Sequence, residues 1–221
     1  MSTVIVDDVR LVIPEWVKDI ESFRLWTDEP AFPEKGNIWW LRGTVWADMS
    51  KEQVFTHNLV RTKITSTLDR LAEDEDLGLV LSDGVLVTNF AADVSGNPDA
   101  TFISNESRAA ERVRLVEGKR QGYTEVQGEP DMVLEVLSDS SVQKDTEVLR
   151  EAYWLAGVRE YWIVDARRAP PRFDILRRST KGFVVTRKQT GWLKSTVFGK
   201  SFRLVQETDR FGDPRYRLDV R

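Results

Sequence analysis

The spacing of apolar residues separates a helical stretch from several strand-like ones. Val54, Leu59, Val60, Ile64 and Leu68 recur at helical spacing up to Leu71, and Ser50 followed by Gln53 has the form of a capping box, so a helix is expected over 50–72. Before it, Ile38 to Trp46 is rich in β-formers around Gly43 and predicts a hairpin or a bulged strand. After it, Asp83-Gly84 between two apolar runs, Gly78–Ser82 and Val85–Thr88, predicts two antiparallel strands. Pro98 is compatible with the start of a strand but not its centre, which sets Asp99 at the entrance of a strand running to Ser104. Residues 105–128 read as a polar excursion with a hairpin around Val113–Val116.

The most informative stretch follows. Pro130 to Ser138 is almost continuously apolar, as in a strand covered on both faces. A segment with Val148, Leu149, Ala152, Tyr153 and Ala156 on one side ends at Gly157, and Glu160–Asp165 is again strand-like. Strand, helix and strand in this order predict a right-handed parallel crossover. From Phe173 to Leu204 β-formers alternate with turn residues and extend or flank the sheet. The expected fold is α/β: a mixed central β-sheet flanked by the 50–72 and 141–156 helices. Residues 1–37, with Pro14, Pro30, Pro33 and Gly36, read as an irregular lead-in with at most one short helix, and 38–221 as one domain.

Composition removes several chemistries. There is no cysteine, which excludes disulfides, thiolate nucleophiles and cysteine-ligated metals, and His57 is the only histidine, which excludes multi-histidine sites. No apolar run reaches the length of a membrane span and the N-terminus lacks a signal pattern, so a cytoplasmic protein with no membrane partner is expected. The net charge of −4 hides a division: between Arg167 and Leu204 eleven basic residues face one acid, Asp174. That segment is either a solvated sheet face or a surface for phosphates. The acidic run Glu73–Asp76 reads as a solvated helix end.

Glu135 is the anomaly. An ionised carboxylate within Met-Val-Leu-Glu-Val-Leu costs several kcal/mol, on the order set by ion desolvation, unless something positive meets it. A buried Arg or Lys would serve, and so would a divalent cation, with Asp99 as the second carboxylate. Mg²⁺ or Mn²⁺ takes oxygen ligands and keeps several waters, so two carboxylates and a main-chain carbonyl suffice. Asp131, on the same run, is placed to cap a turn or to reach the same site. Gly199-Lys200-Ser201 has the end of a phosphate-binding loop but lacks its first glycine, since Lys194 stands there.

The order Pro98-Asp99, Pro130-Asp131-Met-Val-Leu-Glu135-Val136-Leu137-Ser138, Lys144-Asp145, Tyr153, Ala156-Gly157-Val158 and Glu160-Tyr161-Trp162-Ile163-Val164-Asp165 resembles the Uma-two family of putative restriction endonucleases, within the PD-(D/E)XK nuclease superfamily. The similarity runs from about Gly43 to Leu204 and implies a restriction-endonuclease-like core. It implies Asp99 and Glu135 as metal-binding acids, the carbonyl of Val136 as a further ligand, DNA as substrate, Mg²⁺ or Mn²⁺ as cofactor, and a homodimer where both strands of a duplex are cut. The signature lysine two residues after the second acid is replaced by Leu137, and the position usual for a lysine moved to the next helix is Leu149. Lys144, Arg150 or no residue is left to replace it. His57 corresponds to a family histidine and is a further catalytic candidate, toward phosphate or the ion's water shell; Asp145 would cap the helix or orient Lys144. A catalytically silent nuclease-fold protein that binds nucleic acid or a protein partner is the alternative expectation.

Overall fold

The computed structural model describes residues 2–6, 9–33, 36–119 and 121–221. The chain runs β1 (Ser2–Val6), β2 (Val9–Ile13), α1 (Ile20–Thr27), β3 (Asn37–Leu41) and β4 (Thr44–Asp48). A π-helical turn, Val54–Leu59, leads into α2 (Val60–Asp74), followed by β5 (Gly78–Ser82), β6 (Leu86–Asn89), β7 (Val94–Gly96), β8 (Ala100–Ser104) and α3 (Asn105–Ala109). Next come β9 (Val113–Glu117), β10 (Tyr123–Gly128) and β11 (Met132–Val136), a second π-helical turn Lys144–Val148 leading into α4 (Leu149–Leu155), and β12 (Glu160–Asp165). The chain closes with β13 (Arg172–Ser179), β14 (Gly182–Val185), β15 (Leu193–Lys194), β16 (Ser201–Thr208) and β17 (Pro214–Val220).

The central sheet has the order β14-β13-β12-β11-β8-β5 and is mixed: β11 and β12 are parallel, joined through α4 as expected, and the other pairs are antiparallel. Strand alternation sorts β11 between two cores. Met132, Leu134 and Val136 pack with Val60, Ile64 and Leu68 of α2 and with Phe198, Phe202 and Leu218 near and on the terminal strands. Val133 faces the other way, against Leu149, Ala152 and Tyr153 at α4. Glu135 shares the parity of Val133, so its carboxylate is aimed at the α4 side of the sheet.

A second six-stranded sheet, β4-β3-β7-β6-β10-β9, adjoins the α4 side. In β3, Trp39 and Leu41 join the α4 core while Ile38 and Trp40 turn to Phe23 and Trp26 of α1. The described residues among the first 37 hold more regular structure than the sequence suggests: β1 and β2 pair antiparallel, and α1 is held by a capping box of Asp19 and Ser22. Proline density misleads here because the prolines lie between elements and not inside them.

Two other expectations are corrected. The Asp83-Gly84 turn does not close a hairpin, because β5 pairs with β8 in the central sheet and β6 with β7 and β10 in the other; the turn carries the chain between sheets. The capping box at Ser50 does not form either. Gln53 precedes the first helical turn with no side-chain cap, and the Ser50 hydroxyl instead meets that of Ser140 at 3.2 Å. The turn at Arg42-Gly43 does make the expected hairpin of β3 and β4, both residues at positive φ.

One further acid is structural. Glu160, fully buried, accepts hydrogen bonds from Trp162 Nε1, Ser195 Oγ, and the amides of Thr196 and Val197, with Thr196 Oγ1 at 2.8 Å. This carboxylate fastens the segment after β15 to β12. No helix among the described residues is long and apolar enough to cross a membrane.

Candidate active site

β8 and β11 set the geometry. Their antiparallel register pairs Met132 with Phe102, Val133 with Thr101 and Leu134 with Ala100. One step further along the same register brings Glu135 opposite Asp99, and opposed residues of an antiparallel pair project to the same face. The two acids are thus neighbours, although 36 positions separate them in sequence. The amide of Val136 donates to Asp99 Oδ2 at 2.7 Å, which fixes that carboxylate against the end of β11.

Both acids are buried, Asp99 at 6% exposure and Glu135 at 3%, and both line a cavity of about 410 Å³. The same cavity is lined by Val136, His57, Arg61, Lys144 and Asp145. All the site residues expected from sequence therefore meet in one place, apart from the alternatives Arg150 and Asp131. Arg150 donates to the carbonyl of Phe183 at 2.9 Å. Asp131, at the opposite end of β11, accepts from the Ser104 amide, Ser107 Oγ and Arg159 Nη1, and so serves the strand's entrance.

Lys144 enters from the π-helical turn ahead of α4. Its ammonium lies 2.7 Å from Asp145 Oδ1 and 4.5 Å from the centroid of the Trp39 ring. Burial pulls its pKa down, but Glu135 and Asp145 outweigh that and raise it, so Lys144 stays cationic. Asp145 is engaged with Lys144 and does not cap the helix. Leu137 and Leu149, the two positions where a lysine is missing, are both buried among apolar residues.

Glu135 accepts a hydrogen bond from Tyr153 at 2.8 Å. Its pKa is pushed well above the usual carboxylate range by burial, offset by Lys144 and reinforced by the charges of Asp145 and Asp99. Asp99 goes the other way: burial raises it, but His57, the Val136 amide and Arg61 together hold it low.

His57 comes from the π-helical turn Val54–Leu59 and Arg61 from the first turn of α2. His57 Nε2 is 3.5 Å from Asp99 Oδ2 and Nδ1 is 2.9 Å from Glu52 Oε1. Burial alone would lower the imidazole's pKa; the two carboxylates raise it to about 9, so the ring is an imidazolium at neutral pH and a donor, not a base. Arg61 reaches three acids, with Glu52 at 2.7 Å, Asp83 at 3.0 Å and Asp99 at 3.1 Å. Sequence reading passed over Arg61, Glu52, Asp83 and Asp48. The i, i+4 spacing of His57 and Arg61 was the available signal for the first; the others depend on tertiary contacts.

The donor set suits a hard cation. The cavity is lined by seven Asp and Glu residues against three Lys and Arg and His57, and among the described residues no Lys or Arg is in ion-pair contact with Glu135, although the charge of Lys144 acts on it. Among the described residues no three His, Asp or Glu side chains stand together as a preformed cage. The residues of the cavity that could hold such an ion are Asp99 and Glu135, which line it together with Val136.

Comparison with known proteins agrees with this architecture. The crystal structure of a putative nuclease belonging to DUF820 from Anabaena variabilis matches with a TM-score of 0.55 over 73% of this chain and 83% of that one, at 14% identity, which shows that the two share a fold. The chain belongs to the Uma2 family, described as putative restriction endonucleases, whose model matches residues 20–204. No curated protein matches the sequence.

Proposed function

We propose that this chain is a divalent-metal-dependent endonuclease that hydrolyses phosphodiester bonds in DNA. The observation that carries the reading is the placement of Asp99, immediately before β8, against the end of β11 that holds Glu135, with Lys144 in the same cavity. Asp99, Glu135 and the Val136 carbonyl would hold Mg²⁺ or Mn²⁺. When bound, such an ion supplies Lewis acidity toward a phosphate oxygen and an acidified water.

The chain's own residues do the rest. Lys144, fixed by Asp145 and Trp39 and held protonated, places a positive charge where negative charge develops on phosphorus. Tyr153 orients Glu135 through its hydroxyl. His57, from the π-helical turn, and Arg61, from α2, hold Asp99 in place, Arg61 being itself locked by Glu52 and Asp83; both act as positioning residues. Cutting both strands of a duplex calls for two such sites, which a homodimer supplies.

The test is cleavage of plasmid and single-stranded DNA with EDTA, Mg²⁺ or Mn²⁺, beside Glu135→Gln protein. Metal-dependent cutting that the variant loses supports the reading. DNA binding without cutting by either protein would overturn it in favour of a silent binder.

A further inference from the structure

A second cluster of charge lies away from the carboxylates. β11 pairs with β12 so that Glu135 faces Ile163, and Ile163 in turn faces Asp174 on β13. Arg177 lies three residues beyond Asp174, opposite Glu160, toward the other end of the sheet. At about 3.3 Å per residue and 4.8 Å per strand this is roughly 14 Å from Glu135 in the plane of the sheet. Strand parity also turns Arg177 to the face covered by the terminal strands, opposite to Glu135.

Arg177, Arg187, Lys194 and Arg221 line one pocket there, of about 230 Å³, together with Thr186 and Trp192. No acid lines it. Among the described residues none of these four cations is in an ion pair, whereas most of their basic neighbours are: Arg167 and Arg168 with Asp165, Arg172 with Asp174, Lys200 with Glu75, Arg203 with Asp219. Glu160, the acid facing Arg177 across the ladder, is turned inward and occupied by its five donors. Arg221 is held over the Trp192 ring at 4.3 Å from its centroid.

The second observation is Thr186. It is buried at 8% exposure, lines the pocket, and its hydroxyl has no hydrogen-bond partner. A buried hydroxyl without a partner costs stability, and a turn of the Thr186 side chain would offer this donor to an anion seated among the four cations. An anion with several acceptor oxygens meets both demands: guanidinium groups suit phosphate in fixed, forked geometry, and the ammonium and hydroxyl take remaining oxygens.

We propose that this pocket is a phosphate-binding site, separate from the catalytic cavity and independent of whether the chain cuts DNA. The phosphate is carried either by a nucleic-acid end or by a free nucleotide. Titration calorimetry of the full chain with inorganic phosphate, AMP, and a short oligonucleotide with and without a 5′-phosphate separates the two sources. An oligonucleotide whose binding depends on its 5′-phosphate supports the first source, and AMP or phosphate binding alone supports the second. Arg177→Gln and Arg187→Gln, both exposed positions, are each expected to weaken binding on the order of tenfold. Lys181→Gln, a basic residue of the same segment outside the pocket, is the matched control and is expected to change nothing.

Thr186→Val separates a ligand role from a structural one. It removes the unpartnered hydroxyl at constant shape, so the free protein is expected to unfold at an equal or higher temperature while phosphate binding weakens. Absence of binding by every probe, or binding that survives the Arg177 and Arg187 changes, would overturn the proposal. Equal binding of chloride at matched ionic strength would overturn it as well.

Discussion

The Val136 amide donates to Asp99 Oδ2 across 2.7 Å, so the residue that follows one site acid on its strand holds the other. Strand pairing and site assembly are the same event at this point. A slip of one residue between β8 and β11 would turn Glu135 to the opposite face and separate the acids.

Glu135 separates charge from shape. Glu135→Gln keeps the acceptor for Tyr153 and removes a costly buried ionisable group, so thermal unfolding is expected to match or exceed the parent while cleavage falls by about a hundredfold or more. Glu135→Ala is expected to lose cleavage equally and about 1–3 kcal/mol of stability besides, because the Tyr153 hydroxyl is left unpaired. Calorimetric unfolding and plasmid nicking, run on both variants, check the contrast.

His57, the only histidine, is expected to be titratable by NMR without overlap from another imidazole. Its folded pKa of about 9 lies above the ordinary 6.5, so its stabilising contribution is complete below about pH 6.5 and is lost as pH rises through about 9. His57→Gln is accordingly expected to cost on the order of 1–3 kcal/mol at pH 6 and progressively less toward pH 9. Added Mg²⁺ is expected to lower the imidazole pKa, since a cation at Asp99 competes for the same carboxylate. A pKa unmoved by saturating Mg²⁺ and Mn²⁺ would count against the ion resting on Asp99.

Arg61 is expected to be more costly to lose than an ordinary surface arginine. It is largely buried and spans Glu52, Asp83 and Asp99, so Arg61→Leu leaves three carboxylates short of their partner and should cost about 2–4 kcal/mol in urea unfolding. Arg61→Lys should recover only part of this, because one ammonium cannot reproduce the forked contacts.

Lys144 carries two roles that a pair of substitutions can separate. Lys144→Met is expected to lower kcat by about a hundredfold with little change in KM, and to destabilise the chain by leaving Asp145 buried and unpaired. Combining it with Asp145→Asn is expected to restore stability and not cleavage. Recovery of cleavage in the double variant would show Lys144 to be structural only.

The strand carrying Glu135 and the crossover to β12 were legible because both rest on local patterns: a continuous apolar run, a 3.6-residue period and a terminating glycine. Asp99 was legible from Pro98, which marks where β8 starts. The route of the chain after Asp83-Gly84 was not, because the turn's residues specify a reversal and not which sheet each arm joins. Lys144, just inside the helix, was the better candidate on spacing and Arg150, one residue past the usual place, the weaker; the π-helical turn, which has no sequence signature of its own, sets Lys144 toward the cavity and Arg150 toward the β14 carbonyl of Phe183. The basic run after Arg167 likewise divides only in three dimensions, into paired arginines and the few left open.

Glu160 bears on how such chains can be recombined. Its carboxylate sits in β12, yet its donors come largely from Ser195 to Val197, so exchange of the terminal strands for a relative's would strand a buried acid unless position 160 travelled with them. The terminal strands are thus no detachable module: their junction with the central sheet is written into a residue more than thirty positions upstream.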